Sequence, residues 1–110
     1  MNEVYEYVSA NFTKEVKLDD VAQIANMTPH AFCRYFKQRT QKTLSQFVME
    51  LRINFACKNL RETDLSVEEI CYKSGYNNFS NFIRQFKKIK NQTPKEFRTD
   101  VKRFMELHLN

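Results

Sequence analysis

Residues about 50 positions apart repeat one another, and this duplication limits the fold more than any single stretch does. Leu18, Asp19, Asp20, Val21 and Ala22 match Val67, Glu68, Glu69, Ile70 and Cys71 at an offset of 49. One residue is then inserted. At an offset of 50, Phe32, Arg34, Phe36 and Lys37 match Phe82, Arg84, Phe86 and Lys87, and Thr43 and Phe47 match Thr93 and Phe97. Two copies are too few for a solenoid, which needs about three stacked repeats. The chain is therefore one motif used twice.

What joins the copies is the stretch from Thr43 to Leu60. Leu44, Phe47, Val48, Leu51 and Phe55 fall at the i, i+3, i+4 spacing of one apolar helical stripe. Thr43 with Gln46 three residues on forms a capping box, and no Gly or Pro interrupts the run. About 18 helical residues at 1.5 Å rise make a strut of roughly 27 Å. One glycine and two prolines in 110 residues exclude a sandwich or barrel, because those folds turn often. The expected fold is all-α, about seven helices: a first subdomain over 1–42, a linker helix over 43–60 and a second subdomain over 61–110.

Each copy reads as helix, short turn, helix. In the first, Leu18 to Ala25 is the opening helix, and Thr28 caps the next with Pro29 at the first helical position, where its missing amide costs nothing. In the second, Ser66 and Glu69 form a capping box, and Asn77 or Asn78 caps the following helix. Gly75, the chain's single glycine, marks a left-handed backbone position whose counterpart is Asn26. Phe32 and Phe36, and Phe82, Phe86 and Ile89, are anchors for the core. Pro94 and Glu96 after Thr93 open a tail helix over 95–109, whose apolar side, Phe97, Val101, Phe104 and Met105, is expected to close the second core.

Charge follows the same duplication. Residues 1–27 carry net −3 and residues 28–61 net +6; residues 62–72 carry net −4 and residues 73–98 again net +6. One basic run is an ordinary solvated face, but two equal ones set apart by acidic ones are harder to dismiss. The stripe opposite the phenylalanines is His30, Cys33, Arg34 and Lys37 in one copy and Ser80, Ile83, Arg84 and Lys87 in the other. Such a face fits a major groove: arginine pairs with guanine edges, Ile83 meets a thymine methyl, and lysine meets phosphate.

At this point the residues reach a known family. GYNNFSNFIRQFKKIKNQTPKEFR (75–98) closely resembles the signature of AraC/XylS-type bacterial transcription regulators. MTPHAFCRYFKQRTQKTLSQFVMELRI (27–53) resembles that family's first helix-turn-helix and the start of its linker helix. The likeness runs from about residue 4 to residue 98. It implies sequence-specific binding of double-stranded DNA by a cytoplasmic regulator, two helix-turn-helix subdomains each placing their second helix in one of two adjacent major grooves. Carried across position by position, base readers would be His30, Cys33, Arg34, Phe79, Ser80, Ile83 and Arg84. Backbone contacts would be Lys37, Lys42, Thr43, Lys87, Lys88, Gln92 and Thr93, the threonines because each begins a helix whose amides can bind phosphate. RNA polymerase is a further candidate partner of an activator. The chain itself is expected to be a monomer, with any dimer formed through a sensor domain that it lacks.

Some positions depart from the family pattern. Lys17 stands where Ser66 caps the second copy, so the first helix relies on Asp19 and Asp20 to meet its dipole. Gln41 and Asn91 occupy slots that are commonly glycine. Cys33 and Phe79 are weak hydrogen-bonding readers.

Other chemistries find little footing. Cys33, Cys57 and Cys71 are odd in number and lack metal or redox spacing, so neither a disulfide framework nor a zinc site is expected, and Cys57 and Cys71 read as core residues. His30 and His108 are too isolated for catalysis or metal binding; no enzyme activity, metal or cofactor is expected. No run approaches the 18 or so apolar residues of a membrane span. A second function class remains, a helical module that binds another protein through the same basic faces. Salt separates the two, because DNA binding weakens steeply with added salt and an apolar helix-in-groove contact does not.

Overall fold

The computed structural model describes residues 1–109, which form seven α-helices and no strand. They are α1 (Asn2–Asn11), α2 (Leu18–Ile24), α3 (Pro29–Thr40), α4 (Leu44–Glu62), α5 (Val67–Lys73), α6 (Phe79–Lys90) and α7 (Pro94–Leu109). Contacts divide the chain into one unit over Met1–Leu51 and another from Arg52 onward.

Local chemistry sets most of these boundaries. The Thr28 hydroxyl accepts from the Ala31 amide at 3.2 Å with Pro29 behind it, and Asn78, not Asn77, caps α6 by accepting from the Asn81 amide at 2.8 Å. Lys17 gives α2 no side-chain cap, and Asp19 and Asp20 fill the first turn as anticipated. The Ser66–Glu69 box is half made. The Glu69 amide donates to Ser66 Oγ at 3.0 Å, but the Glu69 carboxylate takes the serine hydroxyl rather than a backbone amide.

Both turns between paired helices use one hydrogen-bond scheme, a Schellman motif. Asn26 N donates to Gln23 O and Met27 N to Ala22 O, both at 3.0 Å; Gly75 N donates to Tyr72 O at 3.1 Å and Tyr76 N to Cys71 O at 3.2 Å. The left-handed residue is Asn26 (φ 57°) in one unit and Gly75 (φ 107°) in the other. The turns still match at an offset of 49, whereas the caps Thr28 and Asn78 match at 50. The inserted residue is therefore Asn77.

In the first unit, Val4 and Val8 of α1, Val21 and Ala22 of α2, Phe32 and Phe36 of α3 and Val48 of α4 form the core, with Leu44, Phe47 and Leu51 packed on it. No side-chain cap marks the start of α1. In the second unit the buried residues include Ile53, Ala56, Cys57, Leu60, Ile70, Cys71, Tyr76, Phe82 and Phe86. An aromatic ladder recurs. Phe32–Phe36 and Phe36–Phe47 centroids lie 5.5 and 5.6 Å apart; Phe82–Phe86 and Phe86–Phe97 lie 5.9 and 5.8 Å apart, and the last contact of each ladder is edge-on.

Three expectations need correction. The single stripe assigned to the long helix is really two. Leu44, Phe47, Val48 and Leu51 serve the first unit, while Ile53, Ala56, Cys57 and Leu60 are buried in the second, and Phe55 is only half-buried. Fully burying Ile53 and Leu60 contributes roughly 1.5–3 kcal/mol each. The tail helix closes its core with its first turns alone. Phe97 packs on Phe86, but Phe104 and Met105 are exposed, because α7 has by then risen about 10 Å beyond Phe97 and outruns what it packs on. Ile89, likewise, is half-buried rather than a core anchor.

The end of α4 is held by a residue far along the chain. Arg98 on α7 donates through Nε to Leu60 O and through Nη2 to Thr63 O, both at 3.2 Å, and so serves carbonyls at the helix's C-terminal end. Asn59, buried in α4, is satisfied by the Phe55 carbonyl at 2.9 Å.

Candidate nucleic-acid interface

Burying Phe32 and Phe36 on one side of α3 leaves the opposite side to water. His30, Cys33, Arg34 and Lys37 are all exposed there, at the i, i+3, i+4, i+7 positions the sequence assigned to them. In α6 the same logic applies with Phe82 and Phe86 fully buried. Ser80, Arg84 and Lys87 are exposed, while Ile83 is half-buried. Phe79 is 37% exposed, and its ring leans on Phe82 with centroids 6.4 Å apart.

Each second helix ends in a cationic turn, with Lys37 and Arg39 in α3 and Lys87, Lys88 and Lys90 in α6. Positive charge there complements the helix dipole. Lys37 Nζ donates to the Gln41 carbonyl at 3.3 Å, which tethers it near the helix end. Gln41 and Asn91 are left-handed at φ 64° and 59°, as their place in glycine slots implied. Lys88 and Lys87 extend into solvent.

The turns after these helices hold the remaining assigned residues. Lys42 is ion-paired with Glu50, which neutralises it locally. Thr43 makes the full capping box: its amide donates to Gln46 Oε1 at 2.9 Å, and the Gln46 amide donates to its hydroxyl at 3.1 Å. Thr93 and Glu96 repeat this at 2.9 and 3.1 Å, and the Thr93 backbone amide, followed by the Thr93 side chain, holds the Glu96 carboxyl below its ordinary value. The threonine hydroxyls thus serve their own helices. Gln92 is half-buried beside them.

Behind Arg84 runs a polar chain that neither charge nor apolar periodicity reveals. Arg84 Nη2 donates to Asn81 Oδ1 at 2.9 Å, and Gln85 Nε2 donates to the same oxygen at 3.3 Å. Gln85 Oε1 in turn accepts the hydroxyl of Tyr76, whose ring lies under the Arg52 guanidinium at 5.4 Å. Comparing Asn81 with Ala31, one repeat earlier, was the signal available.

Cys57 and Cys71 are buried as expected, and burial pushes both thiols up. Cys33 is exposed. Among the described residues no group of three or more His, Cys, Asp or Glu is arranged to hold a metal ion, and no helix is long and apolar enough to cross a membrane.

The helix-turn-helix domain family matches residues 21–100, and the chain belongs to it, within the AraC type that its sequence resembles. It is 34% identical over 95 residues to the bifunctional transcriptional activator and DNA repair enzyme AdaA of Bacillus subtilis, covering 86% of this chain and 45% of that protein. An AraC-type transcriptional regulator structure from Chromobacterium violaceum is 27% identical, with a TM-score of 0.83 over 91% of this chain and 89% of that one. The DNA-binding domain of AdpA, solved in complex with a target DNA, shares the fold at a TM-score of 0.86 and 19% identity, over 99% and 96% of the two chains. The chain spans less than half the length of several curated relatives it matches, AdaA among them.

Proposed function

We propose that this chain is the sequence-specific, double-stranded DNA-binding domain of a bacterial transcription regulator, each unit laying its second helix in a major groove. The observation that carries the reading is the matched pair of exposed faces, Arg34 and Arg84 each centred opposite a buried phenylalanine pair and each followed by a cationic turn. Family membership supports it, as does the likeness to AraC-type domains.

In this reading His30, Cys33, Arg34, Phe79, Ser80, Ile83 and Arg84 face base edges, with arginine on guanine and Ile83 on a thymine methyl. Lys37, Lys87 and Lys88 meet phosphate. Lys42 reaches phosphate only by leaving Glu50; Thr43 and Thr93, whose own amides are held by Gln46 and Glu96, mark helix starts where phosphate meets an amide only by displacing those side chains, with Gln92 beside the second. The two faces differ in residue type, so the site is asymmetric, with two boxes about 10 base pairs apart occupied by one chain. A cytoplasmic location and contact with RNA polymerase complete the reading as an activator.

Selection of bound duplexes from random DNA, followed by a salt titration on the winner, tests it. The expected result is an asymmetric two-box sequence whose log affinity falls against log salt with a slope of about −3 to −5, for three to six phosphates met. Enrichment of no sequence, with a flat salt dependence, would overturn it in favour of a protein-binding helical module.

A further inference from the structure

The two units read DNA with the same arginine but do not hold that arginine in the same way. In the second unit Arg84 Nη2 donates to Asn81 Oδ1 at 2.9 Å. In the first, the residue three before Arg34 is Ala31, whose methyl accepts nothing. We propose that Asn81 is a positioning residue that holds the Arg84 guanidinium in its base-reading orientation, so that the second unit discriminates between bases more sharply than the first. This deepens the DNA-binding function proposed above and rests on it.

The hydrogen bonds run in one direction, and each fixes the next. Tyr76 is buried, and burial pushes its phenol up to about 12, so it stays an O–H donor. The Gln85 oxygen accepts that proton, so the Gln85 amide nitrogen is the group left to face Asn81. Two donors then converge on Asn81 Oδ1, from Gln85 at 3.3 Å and from Arg84 at 2.9 Å. That convergence turns the asparagine oxygen, rather than its NH₂, toward the arginine. The backbone of Asn81 is fixed as well, because its amide donates to the cap Asn78 at 2.8 Å.

The guanidinium has five N–H donors in a planar fork. One to Asn81 leaves enough for a bidentate pair with a guanine edge. An arginine already oriented loses less rotamer freedom on reading its base, and a wrong base finds the fork unable to swing toward another partner. Arg34 lacks this restraint. In the first unit the positions of Tyr76, Asn81 and Gln85 are taken by Met27, Ala31 and Tyr35, and Tyr35 instead carries Arg39 over its ring at 5.9 Å.

The experiment measures base preference, the ratio of affinities for the selected duplex and for duplexes changed at the base pair whose preference Arg84→Ala erases. Asn81→Ala should lower that ratio about 3- to 10-fold, the size of an ordinary net hydrogen bond and less than a full charged one, because the released arginine still reaches its base in part of its orientations. Asn81→Asp keeps the acceptor. It should retain the ratio, even if its charge lowers affinity for every duplex. Tyr76→Phe frees Gln85 to flip and should lower the ratio by a smaller factor. Ala31→Asn should raise the preference at the base pair read by Arg34. Thermal unfolding of each variant separates these effects from loss of fold, and the Ala31→Asn gain cannot come from unfolding. If Arg84→Ala erases the preference while Asn81→Ala leaves it intact, the positioning role is wrong and the DNA-binding function stands. A new base preference in Asn81→Asp would make Asn81 a direct reader and overturn the role. If the unmodified protein prefers no sequence, both fall together.

Discussion

Arg98→Ala should destabilise the protein by about 2 kcal/mol while leaving base preference unchanged. Arg98 supplies two bonds, Nε to Leu60 O and Nη2 to Thr63 O, each at 3.2 Å. A hydrogen bond to a charged group contributes about 1.5–3 kcal/mol net, but these are at the long end of the range, and the side chain is half-buried, so the low end applies to each and part is recovered by water. Lysine keeps the charge without the fork, so Arg98→Lys should lose about half as much. For about 100 residues melting together, 2 kcal/mol moves Tm by roughly 8 °C; if the unit from Arg52 onward melts by itself, its fewer residues make the shift about twice that. Scanning calorimetry on the wild type and both variants reads this directly. A Tm within about 2 °C of wild type, with affinity reduced on every duplex, would refute the clamp and make Arg98 a phosphate contact.

Arg34→Ala and Arg84→Ala should each relax preference at one base pair in separate halves of the selected site, by about 1–3 kcal/mol, whereas Lys88→Ala should weaken all duplexes alike and flatten the salt slope by about one unit; quantitative binding to single-base variants at two salt concentrations tells the roles apart. Gln41→Gly should stabilise by about 0.5–1 kcal/mol in urea denaturation, and Asn91→Gly by less, because both sit at positive φ and asparagine tolerates it better. The phenol of Tyr76 is raised in the folded state, so its contribution is present below pH 10 and lost as pH rises from 10 toward about 12; Tyr76→Phe should remove that part of the alkaline loss of stability. Glu96 has the opposite sign, with stability present above its ordinary value of 4.5 and lost as pH falls through the lowered value, and Glu96→Gln should flatten the acid limb of the same curve. Asn54→Gly with Lys58→Gly, both exposed, loosens α4 without touching the buried Ile53; two-box affinity should then fall more than affinity for a single box, and equal loss on both would show that the helix does not set the spacing.

The fold was readable because its punctuation is local. Thr28 with Pro29, Thr43 with Gln46 and Thr93 with Glu96 each satisfy helix-start amides within four residues, so the boundary follows from the neighbours alone. Gly75 and the left-handed Asn26 mark the turns for the same reason. What escaped depended on distance or on a change of partner. Helix α1 has no side-chain cap at Met1 and reveals itself only through burial of Val4 and Val8. The long helix changes which of its faces is buried partway along, from Val48 to Ile53 and Ala56, and a periodicity search over the whole stretch fits one stripe where two exist.

The candidate site divides along the same line. Periodicity is enough to say that Arg34 and Arg84 face outward, since a helix that buries phenylalanines at i and i+4 must turn its other side to water. It does not say what an outward side chain is tied to. Lys42 and Lys88 both count as one positive charge in a basic run, yet one is ion-paired with Glu50 and the other extends freely into solvent. The repeats therefore set an upper limit on the charge offered to phosphate, and local pairing decides how much of it is free. Arg34 and Arg84, equivalent by position, part company over Ala31 and Asn81, residues that neither the charge count nor the apolar stripe weighs at all. A duplicated motif keeps its buried ladder, because both copies must pack, and is free to diverge one layer behind the readers. That layer is where two copies of one motif can come to read two different boxes.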